Sequence, residues 1–205
     1  NNQKSLAVRF PKHTLFKNLL KQLDYPLAAP SANISTRVSS VKKDDVKEEF
    51  GTKIKYILDG GKCKIGIEST IINLIGKPTI LRLGGLDVSK IQKTLGFKLN
   101  LAINPKKIVA PGQSHLHYSP GIPLRMNIKK PTNDEAFIIF KKRKNKLKNY
   151  FYLTAKNNID EAAKNLYSCL RLIKNKGYKS IAVEKIPNNG LGKAINDRLK
   201  RASRH

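Results

Sequence analysis

The stretch LNLAINPKKIVAPGQSHLHYSPGIPL, residues 99–124, does most to limit what this chain can fold into. It holds four prolines and two glycines and sustains neither a helical nor a strand period. Proline fixes φ and removes a backbone donor, so regular pairing cannot run through such a segment. An irregular stretch of that length does not sit comfortably inside one compact domain. It predicts a partly extended connector that either joins two domains or lies across the first as a lid. The chain then divides into residues 1–98, the connector 99–124, and residues 125–205.

Strands and helices alternate on both sides of the connector, which indicates α/β layers. Ahead of it, residues 5–10 (SLAVRF) read as a buried strand stopped by Pro11. Residues 13–23 read as a helix with Leu15, Phe16, Leu19, Leu20 and Leu23 on one stripe. A short strand at 27–29 follows, then the amphipathic helix VKKDDVKEEF closed by Gly51, and strands at 55–58, 67–74 and 80–84. The helix VSKIQKTL ends at Gly96. Beyond the connector come strands AFIIF and YFYLT, a helix over 159–175, strand SIAVEKI and a last helix over 193–202, a small open sheet with helices.

At 205 residues and 40% hydrophobic content the chain has enough material for a sizeable core. Its formal charge of +27 suggests a polyanion partner, but only nine of the 41 basic residues are arginine and the lysines are spread along the whole length. General compositional drift explains that spread better than a dedicated nucleic-acid patch. The one dense run, KKRKNKLK at 141–148, also reads as a solvated loop. Cys63 and Cys169 form no C-x-x-C pair, which argues against a disulfide framework or a zinc site and for a reducing, cytoplasmic setting. No apolar run approaches membrane-spanning length, so no membrane partner is expected. His115 and His117 alternate along the connector without companion ligands, which predicts no metal site there.

Three stretches carry candidate chemistry. In PLAAPSAN (26–33) very small residues leave room for a ligand against the backbone, and Ser31 and Asn33 share a face if the chain is extended. Alternatively the two merely end a strand and cap a helix. In DGGKCKIGIEST (59–70) glycines allow close backbone approach and bring Glu68, Ser69 and Thr70 to the start of a strand, as a plain hairpin turn would also do. Arg82 lies among apolar neighbours in ILRLG, where a guanidinium needs an anion. Either a ligand or a structural carboxylate such as Glu68 fills that need. The NGLG turn at 189–192 is read as a strand-to-helix turn rather than a phosphate cradle.

VRFP, PLAAPSAN, DGGKCKIGIEST, ILRLG, APGQSHLHYSPGIPL and the closing GLGKAINDRLKRAS occur in an order that resembles the threonylcarbamoyl-AMP synthase family, in its long two-domain form with a YrdC-like catalytic domain. The resemblance implies an α/β protein with an incomplete YrdC-like twisted-sheet domain, an extended linker and a small Rossmann-like C-terminal domain. It implies condensation of L-threonine, bicarbonate and ATP into threonylcarbamoyl-adenylate and pyrophosphate, for tRNA threonylcarbamoyladenosine modification. By matched position, Ser5, Ser31, Asn33, Ser39, Arg82 and Tyr118 would bind ATP, and Arg9, Ala29 and Ser69 would surround L-threonine. Tyr118 would then lie on a lid that excludes water from a labile carbamate. Mg²⁺ would accompany ATP and take few protein ligands.

The family's front portion, with its lysine and arginine ATP contacts, is not present in these 205 residues, and the chain is expected to lack an N-terminal part of its catalytic domain. A tRNA or tRNA-modification complex is a further expected partner. A non-catalytic basic RNA-binding module is the second reading. A related carbamoyl-adenylate former shares the first domain, but the second domain and the HYSP segment argue against it.

Overall fold

A computed structural model describes residues 5–103, 105, 108–114, 116–144 and 147–204. His115 and part of the 141–148 basic run lie outside the described residues. In chain order the elements are α1 (Thr14–Leu20), α2 (Lys43–Phe50) with a 3₁₀ turn behind it (Gly51–Lys53), β1 (Ile71–Asn73), β2 (Thr79–Arg82) and α3 (Val88–Leu95). These are followed by β3 (Asn100–Leu101), β4 (Leu124–Arg125), β5 (Ala136–Lys141), β6 (Tyr150–Thr154), α4 (Ile159–Asn175), β7 (Ile181–Val183) and α5 (Gly192–Ala202).

The strands form two sheets. In the first, of order β1-β2-β3, β1 runs antiparallel to β2 and β3 parallel to it. The second is wholly parallel, in the order β4-β7-β5-β6. Strand alternation sorts its side chains: Ala136, Ile138, Phe140, Ile181 and Val183 enter the main core, while Phe137, Ile139 and Ala182 enter a smaller cluster on the opposite face. The main core also takes Leu166, Tyr167, Leu170 and Ile173 of α4, Ile195 and Leu199 of α5, and Val38, Ile67, Ile80 and Leu83 from the first part of the chain. One apolar core therefore runs from one sheet to the other.

Local chemistry sets the helix ends. Asp45 accepts from the backbone N–H groups of Val41 and Lys42 at 2.8 and 3.2 Å, satisfying donors at the start of α2. Asp87 and Asn158 do the same for α3 and α4, accepting from Ser89 and Glu161. Gly96 closes α3 at φ 76°, a conformation that costs glycine nothing.

Several sequence expectations fail in the first part of the chain. Residues 5–10 form no strand, and Leu6 and Phe10 are 88% and 94% exposed. Residues 27–29 and 55–58 likewise stay outside any sheet, and Tyr56 is 90% exposed. A strand exists only by pairing, and no described segment pairs with these three. The helix expected over 13–23 shortens to Thr14–Leu20 with no buried residue, because nothing described covers its leucine stripe.

The connector is not a free spacer. Its first residues add β3 to the first sheet and its last begins β4 of the second. Between them Gln113, 3% exposed, accepts from the N–H groups of Val109 and Ala110 and donates to the carbonyls of Leu81 and Ala102, stitching the connector to β2.

Candidate functional site

The site is built where β2, the 66–70 loop, the connector and helices α4 and α5 meet. Gly84 and Gly85 follow β2 and let it pass directly over the loop: a Cβ at Gly84 would collide with the backbone of Ser69 and Thr70. The Gly85 N–H donates to the Glu68 carbonyl at 2.8 Å, which fixes the approach. Arg82, at the end of β2 and 9% exposed, donates through Nε and a terminal nitrogen to the Ser69 carbonyl at 3.1 and 2.9 Å, and through the other nitrogen to Pro111 O at 3.3 Å. Arg82 therefore bonds carbonyl oxygens and makes no hydrogen bond to the Glu68 carboxylate, which is close enough to act electrostatically.

Glu68 is the hub. Its carboxylate accepts from Ser39 Oγ at 2.6 Å, from Tyr167 Oη at 2.9 and 3.0 Å to its two oxygens, and from Arg198 at 3.0 and 3.2 Å. Burial pushes the Glu68 carboxyl up, but the Arg198 guanidinium and the Ser39 hydroxyl outweigh that and hold it below the usual carboxylate range. Arg198 is completely buried on α5 and also donates to Leu83 O. Burial opposes its charge, and the surrounding Tyr167, Glu68, Tyr118 and Asp197 more than compensate, so it stays ionised. One turn along α5, Arg201 donates to the connector carbonyls of Gln113, Ser114 and Ile103 at 3.0, 2.8 and 2.7 Å. On α4, Arg171 donates to Val38 O at 2.7 Å and to Glu49 at 3.2 Å.

Tyr118, 1% exposed, fills the space between these groups. Its ring stacks on Tyr167 at 5.8 Å between centroids and lies under the Arg198 guanidinium at 5.3 Å. Gly112 makes room for it, since a side chain there would meet the Tyr118 hydroxyl. That hydroxyl and His117 Nδ1 are buried without a hydrogen-bond partner among the described residues, and burial pushes the His117 imidazolium down and the Tyr118 phenol up. Beyond Tyr118 the connector pairs with the 36–38 loop: Ser119 N–H donates to Thr36 O at 2.8 Å, and Val38 N–H donates to Ser119 O at 3.2 Å.

Of the residues read from sequence, Ser39, Arg82 and Tyr118 thus come together as one buried group, with Ser69 exposed at its edge. Asn33 reaches that group indirectly, donating to Ile34 O and Arg37 O beside the Ser119 pairing, and its Oδ1 is buried without a partner. Ser5, Arg9, Ala29 and Ser31 stay on exposed chain, where Arg9 donates to Ala29 O at 3.3 Å. Glu68 entered the sequence reading at a strand entry beside Ser69 and Thr70 and as an alternative partner for Arg82, and Tyr167 and Arg198 were not singled out in it. Their one signal is a tyrosine and an arginine on the apolar stripes of amphipathic helices, where a polar head must find a partner.

No group of three or more His, Cys, Asp or Glu side chains suited to a metal occurs among the described residues, and both Glu68 oxygens are already taken by protein donors. The described residues therefore offer no carboxylate set for a divalent ion. Charge in the group is net positive, with Arg82, Arg198 and Arg201 set against Glu68 and Asp197.

An apolar core shared by two sheets, with a connector tucked between them beside buried guanidiniums, defines a two-part α/β protein with an arginine-rich seam. The chain belongs to the threonylcarbamoyl-AMP synthase family: residues 86–204 match the family model described as "Threonylcarbamoyl-AMP synthase, C-terminal domain". Residues 1–84 match the Sua5/yciO/yrdC family model, described as "Telomere recombination". The chain is similar to the threonylcarbamoyl-AMP synthases of Pyrococcus abyssi, 34% identical over 97% of this chain and 64% of that one, and of Schizosaccharomyces pombe, 32% identical over 98% and 58%. It also superposes on the crystal structure of P. abyssi Sua5 complexed with L-threonine, with a TM-score of 0.83 and 30% identity over 95% of this chain and 63% of that one. It spans less than two thirds of the length of each of these relatives.

Proposed function

We propose that this chain provides the second part of the catalytic domain, the lid and the C-terminal domain of an L-threonylcarbamoyladenylate synthase. The substrates are L-threonine, bicarbonate and ATP, and the products are threonylcarbamoyl-AMP and pyrophosphate. The observation that carries this reading is Arg82, a buried guanidinium whose hydrogen bonds go to carbonyl oxygens, gathered with Ser39, Ser69 and Tyr118 at one seam. Carbonyl partners leave its charge without a hydrogen-bonded counter-ion, which suits a nucleotide phosphate arriving at the same place. Ser69, one residue from the fully bonded Glu68, stands at the open edge where threonine would lie.

The chemistry needs alignment more than a protein nucleophile. The threonine amine adds to bicarbonate with loss of water, and a carbamate oxygen then attacks the α-phosphorus while the bond to pyrophosphate breaks. Positive charge beside the phosphates and a dry enclosure favour both steps. Any Mg²⁺ would travel on the nucleotide, since no such carboxylate set occurs among the described residues. The product would be passed to a tRNA-modifying complex, and the basic surface fits brief contact with that complex or its tRNA. A cytoplasmic setting agrees with the two free thiols, Cys63 and Cys169, and no helix among the described residues is long and apolar enough to cross a membrane.

The test is pyrophosphate release by the purified protein. Release that requires threonine and bicarbonate together supports the reading. Release with ATP alone, or none under any combination while the chain still binds tRNA in a salt-sensitive way, favours the RNA-binding alternative.

A further inference from the structure

Two buried side chains of the second part of the chain do more than pack. Tyr167 of α4 and Arg198 of α5, both 0% exposed, reach across the seam to one carboxylate, Glu68, and the same two groups enclose the Tyr118 ring. Tyr118 sits at φ 62°, a left-handed backbone conformation that bulky residues rarely adopt, and its hydroxyl has no described partner. A strained residue with an unsatisfied buried hydroxyl stays put only because its surroundings hold it. Here those surroundings are the Tyr167 face and the Arg198 guanidinium, and what holds them in turn is Glu68.

We propose that Tyr167 and Arg198 are positioning residues for the lid: locked by Glu68, they form the seat that keeps Tyr118 folded in over the site. The C-terminal domain thereby sets whether the connector is closed. This rests on the reading of the connector as a lid, and it gives the second domain a defined task in that reading. Glu68 neighbours Ser69, and its partner Ser39 is a candidate ATP contact, so the seat and the substrate positions share one hydrogen-bonded unit. Opening the lid and loosening the substrate loop are then a single event.

The experiment is native-state cleavage by chymotrypsin, with sites in β6 (Tyr150, Tyr152) as an internal control. A buried tyrosine is cut only when its segment opens, so the rate after Tyr118 reports lid opening. Arg198→Gln and Glu68→Gln should each raise that rate at least tenfold more than they raise the rate at β6. The double variant should match the faster single one, because the two side chains act as a unit. Tyr167→Phe, which keeps the ring and removes only the hydroxyl, should give a smaller rise and guards against a glutamine variant that fails to fold. Rates after Tyr118 that do not change, that rise in step with β6, or that multiply in the double variant overturn the proposal. Calorimetric titration with ATP on the same proteins separates the two levels. If the lid responds as described but ATP binds neither parent nor variants, the seat stands and the synthase reading falls. If ATP binds the parent and the lid ignores all three substitutions, the reverse holds.

Discussion

The two parts of this molecule treat their apolar residues in opposite ways. From Ala136 to Ala202 nearly every helix and strand has fully buried side chains, among them Phe137, Leu153, Leu166, Ile173 and Ile195. From residue 5 to residue 37 no residue is more than partly buried, and Leu6, Val8 and Phe10 face outward. The first buried residues in chain order, Val38, Ser39 and Val41, occur where the chain touches the connector and α4. A parallel sheet with helices over one face generates its own core, whereas a segment with strand-like composition has no shape of its own until something pairs with it. The first part is ordered from the seam outward, and the seam is also where the candidate site lies.

The largest way to break this comparison is to remove the seam's central cation. Arg198→Ala leaves Glu68 partly buried opposite an empty space, which should cost about 3–5 kcal/mol of unfolding free energy in urea titration. A loss below about 1 kcal/mol would mean the two parts barely depend on each other. Next in size, Leu166→Ala in the fully buried face of α4 should cost about 2–5 kcal/mol by the same measurement. Phe10→Ala, on the exposed segment, should change stability by no more than about 0.5 kcal/mol. Equal costs at the two positions would erase the contrast.

Acid provides a finer probe. Glu135 is hydrogen-bonded by Arg125 at 2.7 and 2.9 Å, and that bond holds its carboxyl at about 2, against an ordinary value of 4.5 and against the opposing effect of burial. The folded value lies below the unfolded one, so this group's stabilisation is fully present above pH 4.5 and is lost as pH falls from there toward 2. Glu68 is shifted in the same direction and adds loss of the same sign at the seam. Stability against pH should therefore fall on the acid side, and Glu135→Gln should flatten part of that fall between pH 4.5 and 2. An unchanged slope in Glu135→Gln would show that the Arg125 pair contributes nothing.

The same division explains what the sequence disclosed. Helices α3, α4 and α5 and strands β2, β5, β6 and β7 could be read from periodicity and capping because their signals are local: Asp87 and Gly96 bracket α3, and alternation in AFIIF sorts cleanly onto two faces. SLAVRF and KYIL have the same local signal and form no strand, since pairing is a property of what lies beside them. The site shows the same limit. Arg82 was visible as a cation needing an anion, and Tyr118 through family resemblance, but the Glu68, Tyr167 and Arg198 unit joins residues about 100 and 130 positions apart and leaves no trace in spacing.

Hydrogen exchange read by mass spectrometry, with and without ATP and L-threonine, tests most directly that the site lies at the seam. Ligand-induced protection should concentrate in residues 36–40, 66–70, 82–85 and 108–119, with little change in β5, β6 and α4. Protection centred on the 141–144 basic stretch instead, or no protection anywhere, would contradict it.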